Sequence, residues 1–221
     1  AGDATLAMQG TDFWLMKIDG EGELQWSSAF RSEETMDHFE DIIIDTQGNY
    51  VLTGITEPIG GQGPRRLMVM KTNAEGELLW RTVYAGAWST MEAAIIETND
   101  GNYALSSMTS IDHRAAVCLF IIDTDGDEID LITYLAPHPT AYHWVDSIIQ
   151  TADGGFAISG SHQMADADKD LFLIRTDEDG DLLWDRWYDN DDLCLNNRFQ
   201  GGLIETPDGG FVTAGRRAPS P

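Results

Sequence analysis

Lys71-Thr-Asn-Ala-Glu-Gly-Glu-Leu-Leu-Trp80 decides the fold, because the chain writes this stretch four times. Lys17 to Trp26 and Arg175 to Trp184 repeat it closely, and Ile121 to Asp130 repeats it with Asp130 in the tryptophan's place. The turn glycines Gly22, Gly76, Gly126 and Gly180 recur at intervals of about 50 residues, the period of a propeller blade. A second hairpin follows each copy: Ile42 to Gly54, Ala94 to Ser106, Ser147 to Gly160, and Gly202 to Gly215. Short β-rich runs on either side of Asp-Gly or Gln-Gly predict tight turns, since glycine reaches positive φ without strain. Two hairpins per period give four strands, A to D.

The fold class expected is all-β, a β-propeller of four blades of four antiparallel strands in one domain spanning 1–221. Three blades are contiguous, about 38–84, 90–134 and 143–188. The fourth is divided between the termini, with 198–216 supplying strands A and B and 13–30 supplying C and D. Joining the two halves would close the ring and remove its edges. Ala4 to Met8 reads as one B strand too many, and such a strand offers a route to a homo-oligomer by strand addition.

These units resemble a broad group of bacterial and archaeal secreted propeller repeats. Their pattern reads Asp-x-Trp-Leu-x-Lys-x-Asp-x-x-Gly-x-x-x-Trp, then Asp-Gly-Gly-Tyr/Phe. Asp12-Phe-Trp-Leu-Met-Lys17 follows its first half, and the match covers almost the whole chain. The Gly-x-x-x-Trp element is also similar to the blade signature of quinoprotein-type propellers, whose quinone and metal ligands have no counterpart here. The resemblance implies the fold and exposure outside the cell, in the periplasm or at the cell surface. It implies no activity, because propellers host binding, scaffolding and catalysis alike.

Composition narrows the partners. The net charge of −25 comes from 38 Asp+Glu against 13 Lys+Arg, so a nucleic acid or an anionic membrane meets repulsion over most of the surface. Lys17, Lys71 and Lys169 are the lysines, and an acidic, lysine-poor shell suits a saline environment. No apolar run approaches the length of a membrane span. The chain begins at Ala1, as a processed or excised segment does. Cys118 in an apolar run and Cys194 in a polar loop make neither a disulfide framework nor a metal site.

Chemistry is expected where the D-to-A connections surround a channel mouth. His38, Thr90, His143 and Arg198 stand eight residues before Thr46, Thr98, Thr151 and Thr206 and read as equivalent. His38 and His143, with Glu40, Glu92 and Asp146, form the candidate acid–base set for a hydrolase or lyase. Their plainer reading is solvated loop ends. Arg31, Trp88, His138, Tyr142, His143, Asn197 and Arg198 form the candidate ligand face for a glycan, peptide or protein partner. Asp123, Asp125 and Asp127, with Asp177, Asp179 and Asp181, suggest calcium loops. Their glycine is at the fourth rather than the sixth position, and turn geometry alone asks for these residues. No metal or other cofactor is therefore expected. Without a serine elbow, phosphate loop or zinc pattern, a non-enzymatic binding or scaffold module leads, ahead of the hydrolase and a self-assembling subunit.

Overall fold

The computed structural model describes residues 13–61, 63–84, 88–112, 114–136, 142–163, 169–188 and 202–214. The strand calls fall inside these ranges, while Ala4 to Met8, His138, Asn197 and Arg198 lie outside them. Sixteen strands run through the described residues. β1 (Phe13–Ile18) and β2 (Leu24–Phe30) form a two-stranded sheet. β3 (Thr35–Ile44), β4 (Tyr50–Pro58), β5 (Arg66–Thr72) and β6 (Leu78–Val83) form the first four-stranded sheet. β7 (Trp88–Glu97), β8 (Tyr103–Ile111), β9 (Arg114–Ile122) and β10 (Glu128–Leu135) form the second. β11 (Tyr142–Gln150), β12 (Phe156–Gln163), β13 (Lys169–Thr176) and β14 (Leu182–Tyr188) form the third. β15 (Leu203–Glu205) and β16 (Phe211–Thr213) form a second half-sheet. Each full sheet is an antiparallel meander in chain order, a propeller-like all-β arrangement.

The sheets pack face to face through clusters of alternating side chains. Leu67 and Val69 of the first sheet meet Ile95, Leu105 and Phe120 of the second. Val117 and Leu119 of the second meet Ile158, Phe172 and Ile174 of the third. Phe13 and Leu15 lie on Met68 and Met70, and Leu203 and Phe211 lie beside Ala157 and Leu173. The half-sheets thus flank opposite ends of the three full sheets, and β1 and β16 are not paired with each other.

The repeated tryptophan works between sheets. A Cβ on Gly76 would come within 2.6 Å of Trp26, and one on Gly126 within 2.9 Å of Trp80. Both glycines hold positive φ, so the turn and the close approach require glycine together. Trp80 Nε1 donates to the Thr124 carbonyl at 3.0 Å. Where Asp130 replaces the tryptophan, Ile132 covers Gly180 instead.

The turn geometry corrects one alignment. Asp45 N–H donates to the Asn49 carbonyl as Thr98 N–H donates to that of Asn102, so Asp45, not Thr46, is the equivalent of Thr98, Thr151 and Thr206. His38 then matches Trp144, and Asp37 matches His143. The carbonyls of His38 and Trp144 crowd the same glycine position, Gly54 and Gly160. Threonine is a portable turn residue, whereas glycine is fixed by φ, and alignment on glycine gives the right register.

Candidate functional site

The corrected register pairs Asp37 with Thr56 across β3–β4 and His143 with His162 across β11–β12. Both pairs sit at the end of their sheet that carries the D-to-A connections.

In the third sheet the position is filled by rings. His143 and His162 are buried and stack at 6.0 Å between centroids. Trp187 stands edge-on to them at 5.5 and 5.1 Å and stacks on Phe172 at 4.8 Å.

In the first sheet the same position is charged and open. Asp37 is buried and accepts from Arg81 at 2.7 Å and from the Thr35 hydroxyl at 3.1 Å. Beside it, Glu57 accepts from Arg65 at 2.8 Å, and His38 Nε2 lies 3.4 Å from its other oxygen. The Arg65 guanidinium holds the Glu57 carboxyl below the usual carboxylate range, against the opposing effect of burial. Above these pairs opens a cleft of about 490 Å³ to which all four strands contribute, a size suited to a small ligand. Arg31, Ser32 and Glu34 enter from the β2–β3 connection, Thr56 and Pro58 from β4, and Arg66 and Arg81 from β5 and β6. Arg31 and Arg66 are exposed, and among the described residues neither forms an ion pair. The Thr56 hydroxyl is buried in the wall and has no hydrogen-bond partner among the described residues.

The sequence-selected residues divide. Arg31 lines the cleft, and His38 borders it through Glu57. His143 belongs to the ring cluster. Glu40 and Asp146 stand at equivalent bulges, between Phe39 and Asp41 and between Val145 and Ser147, which offset the ladder by one residue. Glu92 is buried in β7, its carbonyl accepting from the Ser107 hydroxyl at 2.7 Å. Trp88 and Tyr142 open β7 and β11.

The acidic turns are engaged by their own backbone. Asp123 accepts from the N–H of Asp125 and Asp127, and Asp177 from that of Asp179 and Asp181. Among the described residues no three His, Cys, Asp or Glu side chains are placed to share a metal ion. Cys118 is buried and donates to the Ser107 carbonyl, and burial pushes its thiol up to about 12. Arg66, Arg81, Asp37 and His162 were not singled out by sequence. The available signal was the rarity of cations, with Arg65 and Arg66 adjacent in the sequence.

No protein-family model matches the chain, and no curated protein matches it. Among solved structures it is similar to a protein of unknown function from Dyadobacter fermentans, at 15% identity and a TM-score of 0.50. That match covers 86% of this chain and 64% of the other, so the chain spans less than two thirds of that protein. An α-L-arabinofuranosidase from Clostridium thermocellum matches at 10% identity and TM-score 0.46, over 80% of this chain and 59% of that one. A mannose phosphorylase from Leishmania mexicana matches at 11% identity and TM-score 0.46, over 90% of this chain and 68% of that one. At these identities the likeness concerns fold alone.

Proposed function

We propose that the chain is a four-bladed propeller unit, its fourth blade divided between its ends, that works outside the cell as a non-enzymatic binding module for an acidic glycan. The supporting observation is a pair of guanidiniums, Arg31 and Arg66, that form no ion pair among the described residues and share one cleft of a chain carrying net −25. Among the described residues Arg31 and Arg66 are the two guanidiniums without ion pairs that share one cleft, in a chain of thirty-eight carboxylates and thirteen cations. Arginine is the side chain whose planar fork matches a carboxylate. The neighbouring Asp37 and Glu57 charges are already balanced by Arg81 and Arg65. Glu34, which has no such balance, accepts hydrogen bonds and favours a ligand that brings hydroxyl donors with its carboxylate, as a uronate does. A bare sulfate offers no such donors.

The reading is tested by calorimetric titration with digalacturonate and with its neutral digalactoside counterpart. The acidic disaccharide binds, its affinity falling as salt rises, and Arg31→Ala or Arg66→Ala weakens it at least 10-fold. Both variants keep the parent melting temperature, because neither side chain is buried or paired. Equal affinity for the neutral sugar, or unchanged affinity in both variants, overturns the reading.

A further inference from the structure

Arg81 differs from the two arginines at the rim of the cleft in being held. Its Nε donates to the Met68 sulfur at 2.8 Å and its Nη2 to Asp37 at 2.7 Å. Met68 and Asp37 are both buried, one on β5 and the other on β3. Two anchors on different strands fix the plane of a guanidinium. The side chain is still 23% exposed and lines the cleft. Its remaining N–H groups, those of Nη1 among them, meet no acceptor among the described residues. They are rigid donors beside an open volume, and donors held in place before a ligand arrives cost little to order when it binds.

What these donors take follows from charge and from the acceptors around them. Asp37 already balances the Arg81 charge, so the floor holds no surplus for an anion, and the ligand's carboxylate belongs at Arg31 and Arg66. A hydroxyl at the floor must place its own proton as well as accept one. Both oxygens of Asp37 already accept, from Arg81 and from the Thr35 hydroxyl. Those of Glu57 face Arg65 Nε at 2.8 Å and His38 Nε2 at 3.4 Å. The Thr56 hydroxyl lies below the surface, out of a ligand's reach. The floor is therefore rich in donors and short of idle acceptors, and it suits a group that only accepts, a carbonyl. Val83 and Pro58 give an apolar lining beside it. Val83 stands at the register position of Trp187, because Met68↔Val83 copies Phe172↔Trp187. A small apolar group on Val83 thus takes space that the third sheet gives to its own indole. Glu34, in the same lining, is a carboxylate without an ion pair among the described residues.

We infer that the floor of the cleft is a subsite for an N-acetyl group, an inference that rests on the acidic-glycan reading and names the sugar beside the uronate as an N-acetylhexosamine. The acyl carbonyl accepts from Arg81, the methyl lies on Val83, and the amide N–H donates to Glu34, while the uronate carboxylate meets Arg31 and Arg66. An amide fits better than an ester because only the amide brings the N–H that Glu34 accepts. Arg81 is then the residue that sets specificity, and the rim arginines supply the attraction.

Calorimetric titration compares two disaccharides that differ in one group, glucuronosyl-N-acetylglucosamine and glucuronosyl-glucose with the same linkage. The N-acetylated one binds the parent about 10-fold more tightly, the size of one hydrogen bond to a charged group. Arg31→Ala weakens both and keeps their ratio. The ratio falls to about one in Val83→Trp, which sets the third sheet's indole over the floor without changing charge; Val83 is 40% exposed, so that chain folds as the parent does. It falls likewise in Asp37→Asn with Arg81→Met, which removes the floor donors without leaving a lone charge. Equal affinity of the parent for the two disaccharides overturns the subsite and leaves the acidic-glycan reading standing. Binding of neither, nor of digalacturonate, overturns both. A ratio that survives in either variant, once its urea midpoint shows it folded, also overturns the subsite. N-acetyl-Glu-Ala amide brings a carboxylate and an amide without sugar hydroxyls, and if it binds more tightly than the N-acetylated disaccharide, the occupant is an acidic peptide and the glycan assignment falls.

Discussion

The first and third sheets share a backbone register and solve the same position in opposite ways. In the third, His143 and His162 face each other across the ladder, and Trp187 and Phe172 complete a stack of rings. In the first, Asp37 faces Thr56 and pairs with Arg81, and Val83 stands where the third sheet has Trp187, so the space a ring would take is left as cleft. A repeat can thus keep its strands while turning one blade end into packing and another into a cleft. The difference lies in side chains whose neighbours are set by the register, so single substitutions can probe it.

The largest effect is expected from Arg81→Met. It strips a buried carboxylate of its counter-ion, and breaking such a pair from one side costs about 3–5 kcal/mol. Urea denaturation measures this. Replacing both partners, Asp37→Asn with Arg81→Met, leaves no uncompensated charge and recovers most of the loss. If the double variant is as unstable as the single one, the uncompensated charge on Asp37 is not the source of the loss.

Trp187→Ala is the corresponding break in the third sheet. It empties the space between two imidazoles and Phe172, at a cost of about 3 kcal/mol by the usual large-to-small range. The acidic disaccharide should bind this variant as it binds the parent, because the ring cluster and the cleft lie in different sheets. A matching loss of affinity would show that the two ends are coupled.

Much of this was legible in sequence, and what was missed has physical reasons. The strands, their order within each full sheet and the inter-sheet role of the tryptophans follow from glycines whose φ leaves no alternative. Trp26 and Trp80 lie over Gly76 and Gly126, as core staples should. The first A–B turn misled because Asp45 takes the place of the turn threonine and shifts a threonine-based alignment by one residue. That shift made His38 and His143 look like partners, although the equivalent of His143 is Asp37. The cleft was harder to see because Arg31, Arg66 and Arg81 come from separate connections and strands and meet only after the sheet has formed. His143 read as an acid–base and ligand candidate at the channel mouth, and only its ring neighbours His162 and Trp187 place it in packing.

The smallest effect concerns how strand C anchors its cation in the two sheets. In the third, Arg175 bonds Asp153, whose side chain is 63% exposed, so solvent screens the pair. In the first, Lys71 lies 3.0 Å from Asp45 and 2.9 Å from the Tyr103 hydroxyl, which itself donates to Asp45 at 2.9 Å, all three groups being buried. Burial alone would raise the Asp45 carboxyl. The hydrogen bonds from Asn49, Lys71 and Tyr103 outweigh it and hold the group at about 2, below its ordinary 3.8. A carboxyl depressed by folding adds stability that is complete above its unfolded value and is lost as pH falls through the folded one. The window for Asp45 therefore runs from about pH 4 down to about pH 2. Urea midpoints measured across that window should fall more steeply for the parent than for Asp45→Asn with Lys71→Met, which removes both charges. Parallel slopes would assign the acid sensitivity to exposed carboxylates such as Asp153, and the buried triad would then serve to fix the register between the first two sheets.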